Sequence, residues 1–230
     1  MASLAARRLT PERLDDLPPS DPAARASRRD LRRINALMAQ GKIGADLVRA
    51  HAATPPRRIA DLGCGDGTGA LRLLRRLGRA PEGGTLVLTD RQPVVTSAAL
   101  DPLAALGWQV DVVAADVFDY LDAGGRHDLI VTNLFLHHFE GPELTRLLHA
   151  VAGASDLFVA TEPLRSRLAL WPSALLGLIG ANGVTRHDAR VSVEAGFRGQ
   201  EMSDLWPGTP LAEGRRGAFT QGFAGRGLHG

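Results

Sequence analysis

The sequence has 230 residues, of which 44% are apolar and 23% are charged, and this composition is typical of a folded globular domain. The formal net charge is only +2 and the basic residues are almost all arginine, which excludes a lysine-rich nucleic-acid tail. A single cysteine excludes an internal disulfide, and no apolar run approaches the roughly 20 residues of a membrane span. Since we also recognise no signal peptide, we predict a cytoplasmic protein.

The first 56 residues precede the regular part of the chain. Residues 1–20 are polar and contain three prolines, so we predict a flexible arm. A helical cap is predicted over 21–56, beginning where Asp21 can cap a helix that starts with Pro22, with a second helix over 44–53. The arginines of the first helix could bind RNA, but no aromatic side chains are interleaved for base stacking, so a solvent-exposed face is favoured.

From residue 57 onwards, short apolar segments alternate with amphipathic ones. This alternation predicts one α/β domain over 57–230, with a mostly parallel sheet and helices on both faces. The predicted strands lie at 58–62, 85–89, 109–114, 128–132 and 157–161, and the predicted helical segments lie at 68–77, 94–106, 117–122 and 141–152.

The pattern changes after the fifth predicted strand, where we expect an insertion over about 163–200. An apolar helix at 166–181 would form either core or a lid, and a polar, turn-rich segment follows at 182–197. A short helix at 200–205 and a final edge strand at 217–224 complete the predicted elements.

A glycine-rich segment, Asp61 to Gly69, joins the first strand to the first helix of this alternation. Gly63, Gly65 and Gly67 allow a sharp turn and a close approach of the backbone to a ligand. A diphosphate would need bare N–H groups at this helix start, but Asp61 ends the strand and Asp66 lies inside the loop. Two carboxylates would repel a diphosphate, so the segment predicts a site for a cationic ligand.

Acidic residues also end the next two predicted strands. Asp90 follows Gly67 by 23 positions, near the spacing at which an acid reaches a ribose hydroxyl in nucleotide-binding Rossmann units. Asp116 follows the third strand. Because ligands of open α/β sheets bind at the carboxyl ends of the strands, three acids in this position indicate one binding site together.

The pattern acid-x-Gly-x-Gly-x-Gly resembles motif I of the class I S-adenosylmethionine-dependent methyltransferases. The resemblance implies a Rossmann-like fold with a seven-stranded, mostly parallel sheet, an N-terminal helical cap and a C-terminal antiparallel hairpin. It implies S-adenosyl-L-methionine as cofactor, with Asp116 accepting from the adenine amino group and Val117 lying against the ring. The candidate cofactor-binding residues are Asp61, Gly63, Cys64, Gly65, Gly67, Asp90, Arg91, Asp116, Val117 and Asn133.

The fourth predicted strand runs into Asn133-Leu-Phe-Leu-His137-His138. This segment resembles the Asn-x-x-Leu-His-His stretch of small-molecule methyltransferases, including the ubiquinone-biosynthesis type. A neutral imidazole is a suitable general base for an acceptor hydroxyl. Consecutive residues that leave a strand point in different directions, so at most one of the two histidines should face the methyl donor, and we favour His138 over His137.

A third candidate base, His187, precedes Asp188 in the late part of the chain. The stretch from 184 to 198 resembles a subgroup of bacterial methyltransferases that act on aromatic or polyketide products. In this fold the late insertion forms the wall of the substrate site. The candidate substrate-binding residues are Phe135, Trp171, Arg186 and Asp188.

The function that this resemblance implies is methyl transfer to a small molecule, most simply O-methylation of an aromatic or polyketide-like hydroxyl. C-methylation of a phenol or quinol ring is an alternative, as are RNA or protein methylation and a cofactor-binding protein without catalysis. We predict an apolar or aromatic acceptor, no nucleic-acid partner and no metal. The identity of the acceptor and the oligomeric state are not predicted.

Overall fold

The structure is a computed structural model that describes residues 4–14, 17–18, 20–169 and 183–229. Helices and strands alternate in most of the part described, as the sequence predicts. The helices are α1 (Pro22–Leu37), α2 (Gln40–His51), α3 (Thr68–Leu77), α4 (Ser97–Ala105), α5 (Val117–Asp122), α6 (Gly141–Ala154) and α7 (Gly183–Ala195). The strands are β1 (Arg58–Leu62), β2 (Thr85–Asp90), β3 (Gln109–Ala114), β4 (His127–Asn133), β5 (Ser155–Pro163), β6 (Thr209–Arg216) and β7 (Thr220–Arg226).

The strands form one seven-stranded sheet in the order β3-β2-β1-β4-β5-β7-β6. Strands β1 to β5 run parallel, and β7 is antiparallel to both β5 and β6. The predicted Rossmann-like sheet with a C-terminal hairpin is therefore confirmed. The strand order reverses between β1 and β4, and ligands of such sheets bind outside the carboxyl ends of the strands at this point.

Apolar side chains fill both faces of the sheet. On one face, Leu47 and Val48 of α2 and Leu71 and Leu74 of α3 are buried in one cluster with apolar side chains of β1, β2, β4 and β5. On the other face, the buried side chains of α6 pack with Trp206, whose ring stacks on Phe158 at 5.2 Å between centroids. Strands covered on both faces need apolar side chains at nearly every position, which explains the continuous apolar runs of the sequence.

Helix α2 begins at Gln40, four residues before the predicted start at Gly44. Because glycine is a poor helix former, the sequence pattern did not predict the first turn of α2. In the structure, these glycines let α2 approach α3 closely, because a Cβ at Gly41 would lie 2.7 Å from Cβ of Arg72. The same glycines thus position Gln40 at the edge of β1 and β4.

The predicted turn-rich segment at 182–197 is wrong, because residues 183–195 form the helix α7. Its buried face carries the polar side chains Thr185, Asp188 and Glu194, so the helical period cannot be read from apolar residues alone. Thr185 donates a hydrogen bond to Ser27 of α1 at 3.0 Å, which ties the two helices together. His187 is therefore a helix residue and not a loop residue.

Two other predictions at the C-terminal end are wrong. Residues 200–205 form hydrogen-bonded turns and not a helix. The last strand, predicted over 217–224, is β7, and it lies inside the sheet between β5 and β6. The edge strand is β6, whose exposed ends and internal glycine suit an edge better than the buried β7 does.

The predicted apolar helix at 166–181 lies mostly outside the described residues, of which only 167–169 at its start are helical. In the part of the chain that the structure describes, no helix is long and apolar enough to cross a membrane. The division into an arm over 1–20, a cap over 21–56 and a domain over 57–230 stays a prediction.

The N-terminal residues 4–14 contact the rest of the domain. Arg7 donates through Nε to the carbonyl oxygen of Ala195 at 2.8 Å and through a terminal nitrogen to that of Phe139 at 2.8 Å. Its guanidinium also lies 4.1 Å from the centroid of the Phe197 ring. These contacts join the start of the chain to α7 and to the segment that follows β4.

Candidate functional site

The glycine-rich loop between β1 and α3 is held in the left-handed region of backbone space. Gly63, Gly65 and Gly67 have φ values of +72°, +54° and +76°. The N–H groups of Gly63 and Cys64 donate to the carbonyl oxygen of Thr89 at 2.9 and 3.0 Å, which fastens the loop to the end of β2. A Cβ on Gly63 would lie 2.1 Å from the ring of Phe135, so glycine is required there for space as well as for φ.

Asp90 organises the same loop from the end of β2. Its Oδ2 accepts from the N–H of Gly65 at 2.9 Å, and its Oδ1 accepts from the N–H of Gln92 at 2.9 Å. Asp66 has a different role, because its Oδ1 accepts from the N–H and the hydroxyl of Thr68 at 3.0 and 2.5 Å. Asp66 thus caps the first turn of α3, and this use was not foreseen in the sequence.

Asp61 ends β1 and is buried, with 3% of its surface exposed. Burial, together with the nearby charge of Asp90, raises the pKa of its carboxyl group to about 7. A buried carboxyl with such a pKa is half ionised at neutral pH, and an adjacent cation would favour the charged form. This is the behaviour expected of a site for an ammonium group.

A cleft that is open to solvent lies between α2, α3 and the ends of β1, β4 and β5. Asp61, Asn133 and Gln40 contribute polar side chains to its wall. Gln40 is 3% exposed, and neither Oε1 nor Nε2 has a hydrogen-bond partner among the described residues. A buried amide without partners is costly, so its presence beside an open cleft indicates a polar ligand.

Sequence reasoning missed Gln40. A glutamine before a predicted helix carries no signal of its own, and only the tertiary structure shows that it lines the same cleft as Asp61. Asn133, which was predicted, is held at the end of β4, where its Oδ1 accepts from the hydroxyl of Thr161 at 2.9 Å. Cβ of Asn133 lies 3.8 Å from the position of a Cβ on Gly69, so the amide is close to the start of α3.

The third acid, Asp116, lies at the start of α5 beyond β3. One of its oxygens, Oδ1, accepts from the N–H of Phe118 at 2.8 Å and so caps the helix. This capping bond leaves the second oxygen available to another donor. Val117 beside it is buried, whereas Arg91 after β2 is exposed. The structure thus brings all three predicted acids to one edge of the sheet.

The segment after β4 is fastened by a buried carboxylate, Glu162, that the sequence did not reveal. Oε1 of Glu162 accepts from the N–H groups of Phe135 and Leu136 at 3.0 and 2.9 Å, and Oε2 accepts from the N–H of His137 at 3.3 Å. The same Oε2 lies 2.8 Å from Nδ1 of the His137 ring. Leu134 in this turn has φ +55°, a costly conformation for a residue other than glycine, and the surrounding bonds maintain it.

His137 is buried between two carboxylates. Its Nε2 lies 3.4 Å from Oε1 of Glu12, which belongs to the N-terminal arm. Burial alone would lower the pKa of His137, but the bonds to Glu12 and Glu162 outweigh burial and raise it to about 9. The pKa of Glu12 is lowered to about 2, because its bonds to His137 and Ser192 outweigh the opposite effect of burial. His137 is therefore charged at neutral pH, which disfavours it as a general base.

His138 differs from its neighbour, because its side chain is exposed. Its ring centroid lies 4.3 Å from that of His137. The surrounding protein atoms and then the charge of His137 lower its pKa, so His138 is neutral at pH 7. The two rings thus lie side by side, and His138 is the one that solvent reaches.

His187 and Asp188 form a pair on α7, with 3.0 Å between Nδ1 and Oδ1. Asp188 is almost fully buried, and its carboxylate accepts from the N–H groups of Arg13 and Leu14 at 2.9 and 3.0 Å. Asp188 therefore anchors the N-terminal arm, a structural use that competes with its predicted contact to a substrate. Arg186 is exposed on the same helix, and Trp171 lies outside the described residues.

Comparisons with known proteins match this site to a family. Residues 59–154, from β1 to the end of α6, match a family model described as "Methyltransferase domain". This stretch, which is less than half of the chain, is similar to a methyltransferase domain. The matched residues include Asp61, Asp90 and Asp116, together with the histidine pair. No curated protein sequence matches the chain.

Solved structures of methyltransferases share the fold. The plantazolicin methyltransferase BpumL, in complex with SAH, superposes with a TM-score of 0.62 at 14% identity over 90% of this chain and 91% of that one. An O-methyltransferase family protein from Burkholderia thailandensis gives 0.53 at 18% identity over 91% and 64% of the two chains. The magnesium protoporphyrin IX methyltransferase from Synechocystis, with bound SAH, gives 0.50 at 13% identity over 93% and 91%. The fold is thus the class I methyltransferase fold.

Replacing Gly63 by alanine is expected to destabilise the protein by several times the cost of the same change at Gly65. Both residues have a positive φ, so both variants carry a backbone cost of about 1–2 kcal/mol. Only at Gly63 does the new Cβ collide with Phe135, whereas nothing lies within 4 Å at Gly65. Urea unfolding of both variants measures the difference, and equal losses would contradict the packing described here.

Proposed function

We propose that the methyltransferase binds S-adenosyl-L-methionine at the carboxyl ends of β1 to β4 and methylates a small molecule. When bound, this cofactor supplies a methyl group on a sulfonium that is already activated. Because the donor is activated, the protein contributes mainly by positioning the two reactants. The complexes of the similar structures with SAH support the proposal, and so does the arrangement of acids described above.

The observation that carries the proposal is the pairing of Asp61 and Gln40 in one cleft. The amino-acid end of the cofactor has an ammonium and a carboxylate. Asp61 offers a carboxylate to the ammonium, and the amide of Gln40 can donate to the carboxylate or accept from the ammonium. A zwitterion therefore fits both the raised pKa of Asp61 and the unpartnered amide of Gln40.

The nucleoside end of the cofactor would lie along the loop and the next two strand ends. The carboxylate of Asp90 accepts hydroxyl donors of the ribose, and the second oxygen of Asp116 accepts from the adenine amino group. Val117 would lie against the ring. In the glycine loop, where Cys64 lies between Gly63 and Gly65, the glycines have no side chains that would keep the cofactor away from the backbone. Arg91 and Asn133 remain proposed contacts at the two ends of this path.

On the acceptor side, we place His138 in contact with the reacting hydroxyl. Its ring is exposed and neutral, and it lies in the turn that directly follows Asn133. Phe118, Phe135 and Phe139 lie next to this turn, with ring pairs at 6.1 and 5.1 Å, and they favour an aromatic or polyketide-like acceptor. O-methylation is the proposed reaction, since a hydroxyl is the simplest partner for an imidazole.

Gln40→Leu tests the proposed function with two effects of opposite sign. The change removes hydrogen bonds to a charged ligand group, so the affinity for S-adenosyl-L-methionine is expected to fall about 10- to 100-fold. Stability without the cofactor is expected to rise or stay unchanged, because a buried amide without partners disappears. Calorimetric titration and thermal unfolding measure the two effects, with the exposed Gln92→Leu as control. Unchanged affinity would overturn the proposed cofactor site.

Cofactor affinity is expected to fall as the pH drops below 7. Asp61 has a raised pKa of about 7, and only its ionised form pairs with an ammonium, so affinity should weaken about tenfold per pH unit below this value. Without the cofactor, the effect on folding has the opposite sign. Burial disfavours the charged carboxylate, so Asp61 lowers stability progressively as the pH rises from about 4, its unfolded pKa, to about 7.

Titrations between pH 5.5 and 8.5 check this dependence. Asp61→Asn should bind weakly at every pH and lose the slope, whereas the exposed Asp119→Asn should keep the slope. A pH-independent affinity in the unmodified protein would refute the role of Asp61.

His138→Ala is expected to lower the rate of methyl transfer by roughly 10²- to 10⁴-fold while cofactor affinity stays near that of the unmodified protein. The rate is measured as transfer of a labelled methyl group to a panel of phenolic and carboxylic metabolites. His187→Ala serves as the matched comparison, because its histidine pairs with the anchored Asp188. A normal rate in His138→Ala with a low one in His187→Ala would move the acceptor contact to α7. Normal rates in both variants would mean that neither histidine acts as a base and that catalysis depends on positioning alone.

A further inference from the structure

The turn after β4 and the N-terminal arm bring three metal-ligating side chains together. Glu12, His137 and His138 each offer one donor atom, and these atoms all lie within 4.8 Å of one another. We propose that these three residues bind a divalent transition-metal ion of the zinc type, which takes the place of the proton on Nε2 of His137 and releases that proton to solvent. The binding of the ion does not depend on the proposed function.

Two of the donor atoms form a long hydrogen bond, and their separation also fits a shared ion. Nε2 of His137 and Oε1 of Glu12 are 3.4 Å apart, whereas N–H···O bonds are typically about 2.7–3.2 Å long. A tetrahedral ion with bonds of about 2.0–2.1 Å holds its ligand atoms about 3.3 Å apart. By contrast, Nδ1 of the same ring lies at an ordinary 2.8 Å from Glu162.

The surroundings of the cluster also have the form of a metal site. Histidine ligands usually donate their second ring N–H to a carboxylate, which fixes the tautomer and orients the ring. Glu162 has this position on Nδ1 of His137, and it is fully buried. On the other side, the hydroxyl of Ser192 donates to Glu12 and holds its carboxylate toward His137. Two of the three ligands are therefore oriented by further contacts.

The donor set selects the kind of ion. Two imidazoles and one carboxylate suit zinc or cobalt, whereas magnesium and calcium prefer oxygen ligands. Three protein ligands leave one position of a tetrahedral ion open. Because His138 is exposed, this position can take a water or a hydroxyl oxygen from solvent. The further step, in which the acceptor hydroxyl occupies it, rests on the proposed function.

The arm completes this site. Glu12 lies 125 positions before His137 in the sequence, and it is held near the turn by the contacts of Arg7, Arg13 and Leu14. Release of the arm would remove one ligand and expose His137. Ion binding is therefore expected to stabilise the docked arm, since a ligand that binds only the folded arrangement favours that arrangement.

Calorimetric titration of the full chain with Zn²⁺, after dialysis against a chelator, tests the proposal. One ion per chain is expected, with no comparable binding of Mg²⁺. Glu12→Gln and His138→Ala should each weaken Zn²⁺ binding at least about tenfold. Co²⁺ should give the visible absorption of a tetrahedral site in the unmodified protein and lose it in both variants. His149→Ala changes an exposed histidine of α6 and should behave like the unmodified protein.

Equal Zn²⁺ affinity in the unmodified protein and both variants would mean an adventitious ion only and would overturn the proposal. So would loss of binding in His187→Ala alone, because the ion would then lie on the pair with Asp188. Thermal unfolding checks that the variants fold, and His138→Ala, which changes an exposed side chain, decides the matter if Glu12→Gln does not fold. Titration of the same samples with S-adenosyl-L-methionine separates the two proposals. If the unmodified protein binds the cofactor but not Zn²⁺, the metal site has failed, and if it binds Zn²⁺ but not the cofactor, the proposed function has failed.

Discussion

Glu162 at the end of β5 is the constraint on which the turn after β4, with its histidine pair, depends. Its carboxylate is fully buried and accepts from three consecutive backbone N–H groups and from the ring of His137. The parallel register that pairs Asn133 with Thr161 places it directly opposite the turn. A buried carboxylate with several donors is strongly localised, because the loss of any one partner is costly. The strained backbone at Leu134 persists for this reason.

This turn is in contact with the glycine loop. The ring of Phe135 fills the space that a side chain at Gly63 would need, so the loop after β1 and the turn after β4 are packed together. The loop is also bonded to the end of β2 through Thr89 and Asp90. The glycine loop and the turn after β4 therefore hold a fixed separation, which the proposed methyl transfer would require because reacting atoms must meet in line.

The charge of Asp61 and the charge of His137 are compensated in different ways. Asp61 is a buried acid with a raised pKa beside an amide without partners, which suits a ligand that brings its own charge. Around His137 the charges are already compensated within the protein by Glu12 and Glu162. The first arrangement suits the proposed cationic ligand, whereas the second is balanced within the protein and leaves His138 as the ring that solvent reaches.

Much of the fold could be predicted from the sequence, because the elements from β1 to β5 have strong periodic patterns and glycine or acidic residues at their ends. The three acids and the histidine pair could be located in the same way, since strand ends of a parallel sheet share one edge. Helix α7 could not, as its buried face is polar, and neither could the position of β7 inside the sheet. Gln40, Glu12 and Glu162 carry no local signal, because their roles depend on partners far along the chain. The sequence by itself thus determined the sheet, the glycine loop and the acids, which rest on local spacing, and only the tertiary structure decided which buried polar groups meet, because that depends on long-range packing.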